Sequence, residues 1–172
     1  MVIIRSKNFI LRPFKKGDES SLVKNINDKT ITRNTLRIPY PYRLKDAHSW
    51  INLNSKFNKK KNKKEINFAI DMSGMVVGSV GLSKIEDHKA EIGYWLGKKY
   101  RRQGIMTEAV KLVTKYSFDE LKLKRVYAFI FIRNKISEGV VKKNGFKYEG
   151  KLKKNFKKGN KFLNVLLFAK IK

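Results

Sequence analysis

The chain has 172 residues, with 41 Lys and Arg against 14 Asp and Glu, for a formal net charge of +27. That length suits one domain, residues 1–172, with a sizeable core, and 41% apolar residues give it enough to bury, which argues against disorder. There is no cysteine, which excludes disulfides, thiolate metal sites and a cysteine acyl-enzyme.

Val165 to Ala169, the longest apolar run near the end, is far too short to span a bilayer. Arg5 and Lys7 interrupt the first eleven residues, and no small-residue cleavage site follows them. No signal peptide is read, so a cytoplasmic location without a membrane partner is the default expectation. The positive charge fits nucleic acid, a ribosome, an anionic membrane surface or an anionic cofactor. Because the lysines are spread along the chain, a compositional bias accounts for it equally well.

In chain order, Val2–Ile4 and Phe9–Arg12 read as a short first strand closed by Pro13. Asp18 is the expected N-cap of a helix through Leu22 and Ile26, and residues 28–33 read as a second short helix. The prolines in residues 38–42 dictate an extended aromatic segment. A helix carrying Ala47, Trp50, Ile51 and Leu53 starts at Asp46. The basic run at residues 56–64 has one phenylalanine and no arginine. It is expected as a solvated helix end and loop rather than a stacking platform for nucleic acid.

Residues 66–70, 76–82 and 90–96 form three strand signals separated by turns, an antiparallel meander. Residues 107–121 carry a helical stripe of Met106, Ala109, Val110, Leu112, Val113 and Tyr116. Residues 125–132 read as a buried central strand, and the strand–helix–strand order makes it parallel to strand 90–96. A helix over 134–143, stopped by Asn144-Gly145, precedes a terminal hairpin of 146–152 and 161–170. The basic run over 151–161 is expected as a solvated turn. The fold class is α+β with a mixed sheet.

Between strand 90–96 and the helix after it lies a basic loop, Arg101-Arg-Gln-Gly104-Ile-Met-Thr107. Backbone N–H groups at a helix start lack intrahelical partners, and the macrodipole adds partial positive charge. Such a loop is built to hold an anion. Gly104 keeps side chains out of the way of converging N–H donors. Arg101 and Arg102 can add charge-assisted bonds to phosphate oxygens. The competing reading is a charged surface turn ahead of an ordinary helix.

In its motifs the chain resembles the GNAT superfamily of N-acetyltransferases. The Arg101-Arg-Gln-Gly104-Ile-Met106 string is similar to the superfamily signature Arg/Gln-x-x-Gly-x-Gly/Ala, with methionine in place of the usual small last residue. Gly104-Ile-Met-Thr-Glu-Ala109, Ala90-Glu-Ile-Gly-Tyr-Trp-Leu96, Asn134-x-x-Ser137 and Lys143-Asn-Gly-Phe146 resemble the ribosomal-protein N-terminal acetyltransferase branch. Leu11-Arg12-Pro13, Pro39-Tyr-Pro-Tyr42 and Glu149-Gly150 fit the same branch. The resemblance covers nearly the whole chain. It implies a mixed, mostly antiparallel twisted sheet flanked by helices, with a splayed central strand pair.

It also implies acetyl-CoA as co-substrate and no metal. The pyrophosphate would sit on Arg101, Arg102, Gln103, Gly104, Ile105, Met106 and Thr107, and the pantetheine between the strands at 90–96 and 125–132. Asn134 would bond the cofactor amides, or shape its turn. Glu91, where the family often carries a glutamate, would be the catalytic base, directly or through water. Its other reading is a strand carboxylate paired with a nearby lysine. Many relatives return a proton to the CoA thiolate from a tyrosine at the position of Val141, which cannot donate. Ser137 on the same helix would take that role, or act as a helix-start hydroxyl. Tyr42, Tyr94 and Trp95 line the acceptor pocket or belong to the core. Glu86, Asp87 and His88 are expected to be exposed, and His48, beside Trp50, structural.

The acceptor must present a neutral amine, because an ammonium has no lone pair. An α-amine of pKa about 8 is neutral roughly 250 times more often at pH 7 than a lysine side chain, a gap of about 3.3 kcal/mol. The branch resemblance implies a protein N-terminal α-amine, with a ribosomal protein or the ribosome as partner. Rival acceptors are an amino sugar, an antibiotic or an amino acid derivative. A polyamine would meet like charge, and the sequence holds no acidic cluster to receive it. A non-catalytic protein of the same fold that holds RNA or a ribosome is the reading from another class. A homodimer is compatible with all of these.

Overall fold

A computed structural model describes residues 2–59 and 64–172. The expected first strand is instead a small antiparallel corner of β1 (Ile4–Arg5) and β2 (Ile10–Arg12), with Ile4 opposite Leu11. Helices α1 (Glu19–Ile26), α2 (Lys29–Asn34) and α3 (Leu44–Lys59) follow. Asp46 lies inside the first turn of α3 rather than at its start, and its carboxylate accepts the Arg43 N–H at 2.7 Å. Residues 60–63 of the basic run at 56–64 lie outside the described residues.

Asp18 does not cap α1 through its side chain. It accepts both terminal nitrogens of Arg12, at 2.8 and 2.7 Å, and the Lys15 N–H at 2.9 Å. Asp71 takes Arg12 Nε at 2.6 Å. All three side chains are buried, so the cap position is spent on a buried ion network. Bidentate geometry and several bonds are what make such burial tolerable.

Strands β3 (Glu65–Met72), β4 (Met75–Ser83) and β5 (Lys89–Leu96) form the antiparallel meander. One 3-10 turn (Lys98–Tyr100) leads to α4 (Ile105–Asp119), and β6 (Arg125–Phe131) and α5 (Lys135–Lys143) come next. Strands β7 (Lys147–Lys158) and β8 (Lys161–Ile171) close the chain. The sheet order is β1-β2-β3-β4-β5-β6-β8-β7.

The basic run over 151–158 is strand rather than solvated turn. It pairs with β8 out to Lys158 opposite Lys161, and bulges absorb the mismatch. Its lysines are exposed as far as Lys157, while Leu152, Phe156 and Lys158 are half-buried. Phe156 meets Phe129 and Phe131 edge-on, with ring centroids 5.4 and 6.4 Å apart.

Two apolar cores sit on opposite faces of the sheet. Ile66, Phe68 and Ile70 face the larger one, under α4 and α5, while Ala69 between them faces the second, under α1 and α3. That alternation follows from the two-residue period of a strand. Buried Met106, Ala109, Val110 and Val113 anchor α4, and Leu112 and Tyr116 are half-buried at the edge of its stripe. Each fully buried aliphatic side chain contributes about 1.5–3 kcal/mol. Tyr42 lies in the second core, where burial, with the charge of Asp46 behind it, pushes its phenol up to about 12.

Candidate active site

The central strands β5 and β6 run parallel and share three rungs: Lys89–Arg125, Ala90–Val126 and Glu91–Tyr127. Beyond these, β5 stays on β4 as far as Leu96, and β6 stays on β8 as far as Phe131. The two strands therefore part, and each leaves a backbone edge toward the gap. An extended ligand with amide groups fits such an edge, because unpaired strand N–H and C=O groups need partners.

The basic loop leaves the end of β5 at this gap. Arg102 and Gly104 both adopt left-handed backbone, with φ of 64° and 77°. A Cβ on Gly104 would meet nothing within 4 Å, so the conformation rather than crowding calls for glycine. Gly104 is the N-cap of α4 and has no side chain to cap it. The first bond of the helix runs from Glu108 N–H to Gly104 O at 3.0 Å. The N–H groups of Ile105, Met106 and Thr107 thus have no intrahelical partner. Met106 is buried in the larger core, so packing rather than ligand approach sets its size.

Arg101 is turned toward the protein. Its three guanidinium nitrogens reach Leu96 O at 3.1 Å, Thr30 Oγ1 at 3.0 Å and Asp28 Oδ2 at 2.8 Å. Asp28 is also the N-cap of α2, accepting Thr30 N–H at 2.7 Å. Burial pulls the Asp28 carboxyl up, but the bonds from Thr30 and the charge of Arg101 outweigh it and leave the group below its ordinary value. Gln103 donates to Lys99 O at 3.0 Å, while Arg102 is exposed. Of the two arginines, Arg102 has the exposed charge, and Arg101 fixes the loop to α2.

Glu91 stands on the last rung before the strands part, one-fifth exposed, with Lys84 Nζ 2.8 Å from Oε2. The Glu91 carboxylate raises the pKa of Lys84. Burial raises the Tyr127 phenol, and the charge of Glu91 adds to it. Across the gap, Asn134 caps α5 by accepting Ser137 N–H at 3.2 Å. The Ser137 carbonyl accepts the Tyr94 hydroxyl at 3.0 Å, tying β5 to α5. Burial raises the Tyr94 phenol well above its ordinary value. Val141 is fully buried in the larger core, and Trp95 packs on the second. His48 is solvent-exposed, 3.4 Å from Glu19.

Residue type alone does not single out Asp28 or Asn144 as parts of this site. Asn144 Nδ2 donates to Thr107 O at 3.1 Å and Val140 O at 2.9 Å, which pins the start of α4 to the end of α5. Its place in the Lys143-Asn-Gly-Phe146 string was the available signal, but that string also reads as a plain helix stop. Among the described residues no group of three or more His, Cys, Asp or Glu side chains could hold a metal. No helix among them is long and apolar enough to cross a membrane.

Comparison with known proteins gives this geometry a context. The acetyltransferase (GNAT) domain family matches residues 8–147. A probable N-acetyltransferase of Bacillus subtilis, YjcK, is 46% identical over 85 residues, 48% of this chain and 47% of the relative. The matched stretch thus spans about half of that protein. The ribosomal-protein-serine acetyltransferase of Escherichia coli is 30% identical over 106 residues, 60% of this chain and 59% of that protein. The spermidine N(1)-acetyltransferase of the same organism is 24% identical over 159 residues, 91% of this chain and 82% of that protein. Among solved structures, the ribosomal L7/L12 α-N-protein acetyltransferase RimL in complex with coenzyme A has the same fold. It superposes with a TM-score of 0.88 at 21% identity, over 99% of this chain and 98% of that one. With the family match covering most of the chain and the sheet splitting between β5 and β6, the chain belongs to the acetyltransferase (GNAT) domain family.

Proposed function

We propose that this protein transfers the acetyl group of acetyl-CoA to a primary amine, with a protein N-terminal α-amine of ribosomal-protein type as the acceptor. The observation that carries the donor half is the uncapped start of α4 behind left-handed Gly104, at the end of β5 where it has left β6. Three free N–H groups, a helix dipole and the exposed Arg102 suit a pyrophosphate. Gln103 and Thr107 border that site, and Arg101 acts through the loop backbone by way of Asp28. Acetyl-CoA, when bound, supplies the acetyl thioester. The free edges of β5 and β6 receive its amides, and Asn134 and Ser137 lie on the same side at the start of α5.

In the transfer, a C–N bond forms as the C–S bond breaks; the amine loses one proton and the leaving thiolate gains one. Glu91 takes the first proton, once the acceptor displaces Lys84 from its carboxylate. The Ser137 hydroxyl supplies the second. An α-amine needs less help than a lysine side chain from a carboxylate that shares its charge with Lys84.

The test is incubation with acetyl-CoA and a panel of N-terminal peptides, amino sugars and spermidine, read by mass change. Acetylation at peptide N-termini is the expected result. No transfer to any acceptor, with no coenzyme A binding, would end the enzyme reading; transfer to spermidine alone would replace the acceptor.

A further inference from the structure

Three separate segments bring cations to one open cleft of about 380 Å³. Lys29 and Arg33 come from α2, Arg133 follows β6, and Lys158 and Lys161 flank the β7–β8 turn. Tyr40 forms part of the wall. No carboxylate lines the cleft, and among the described residues none of the five cations is ion-paired with an acid. Elsewhere Lys89, Lys111, Lys115, Lys135 and Lys142 have acidic partners, whereas here five cations gather around one cleft that no carboxylate lines.

Backbone carbonyls hold two of the five in place. Lys158 Nζ donates to Thr35 O at 2.6 Å and to Thr32 O, and Arg133 donates to Arg33 O. The Lys158 bonds dock the hairpin, and the Arg133 bond the turn after β6, onto the end of α2, but they leave the charge uncancelled. Burial, followed by the charge of Arg133, depresses the Lys158 ammonium below its ordinary value.

The cleft lies at the end of a strip that begins at Glu91. Lys84 is over the Phe129 ring at 5.6 Å, Phe129 and Phe131 both meet Phe156, and Arg133 is over Phe131 at 5.7 Å. Tyr127, opposite Glu91, is four residues before the end of β6 at Phe131, roughly 13 Å at strand rise, and Arg133 lies in the turn just beyond. An extended peptide with its amine at Glu91 would bring about its sixth residue to the cleft.

We propose that this cleft binds an acidic stretch of the acceptor polypeptide, four to seven residues behind its N-terminal amine, and so selects acidic-headed chains over polycationic amines. The inference rests on the N-terminal acceptor proposed above. A nucleic acid fits the cleft less well. Tyr40 is its one aromatic residue, and Lys29 sits over that ring at 5.5 Å, which leaves no stacking platform. Carboxylates supply the missing countercharge, and the pairing weakens as salt screens it.

The experiment measures acetyl transfer to two eight-residue peptides that share their first three residues and carry Asp and Glu, or Lys, at positions four to seven. The acidic peptide is expected to show a KM roughly ten-fold lower, a gap that narrows with added salt. The double substitution Arg33→Glu with Lys161→Glu abolishes the preference. The matched pair Lys111→Glu with Lys124→Glu, outside the cleft, retains it. Circular dichroism confirms that both variants fold. Equal KM values for the two peptides, or equal losses in both variants, overturn the cleft while leaving the N-terminal acceptor intact. Transfer to small amines with none to either peptide overturns the acceptor reading, and this inference with it. A short RNA that outcompetes the acidic peptide, and loses affinity only in the cleft variant, overturns it in favour of nucleic acid.

Discussion

Gly104 and Glu91 mark the two ends of the proposed reaction, and each yields a test that geometry defines. At Gly104 the backbone is left-handed with open space around it. Gly104→Ala is therefore a pure conformational substitution, expected to cost about 1–2 kcal/mol in a denaturant melt. It should also weaken coenzyme A binding in calorimetry, because a shifted cap misaims the first N–H groups of α4; unchanged affinity would separate this glycine from the phosphate site. At Glu91, Glu91→Gln is expected to lower kcat/KM most at low pH, where the amine is protonated, and least above the pKa of the amine. A pH-independent loss would instead assign Glu91 a positioning role. The ion pair adds its own pH signature. Because Lys84 is raised in the folded protein, the stability it contributes is present below its ordinary pKa and fades as pH climbs through the raised value.

Among the helices, α2 packs little, with Ile31 its one buried residue, yet it joins two distant parts of the chain. Six residues long, it is tied at its start to the anion loop by Asp28–Arg101 and at its end to the hairpin by Lys158. Replacing Asp28 with Asn removes both the charge partner of Arg101 and the charge at the cap. A loss of roughly 1 kcal/mol of stability is expected, with several-fold weaker coenzyme A binding because the loop is no longer clamped. An affinity equal to that of the parent would show that the loop holds its shape without α2. The sign with pH follows from the depressed Asp28 pKa. The contribution is present above the ordinary carboxylate value of 3.8 and is lost as pH falls through the lower folded value. Assays between pH 6 and 8 should therefore show no titration from this clamp.

Across the whole molecule, strands β2 and β3 and the start of α1 are held together by Arg12, Asp18 and Asp71. Arg12→Met would leave two buried carboxylates without their cation, at a cost of about 3–5 kcal/mol in urea unfolding. A change below about 1 kcal/mol would mean that water reaches the pair. Much of the fold was legible in the sequence. The α4 stripe, the meander, the parallel β6 and the Gly104 loop all follow from local periodicity and backbone preference, which neighbouring residues encode. Their order and motifs also carried the family resemblance. What only the tertiary structure decided depends on which distant faces meet. Arg101 finds Asp28 across 73 positions and Arg12 finds Asp71 across 59. The lysine run of β7 becomes strand because β8 is there to pair with it. In a chain this rich in lysine, composition gives nearly every cation the same standing. Folding gives some of them carboxylate partners and gathers five others around one cleft that no carboxylate lines.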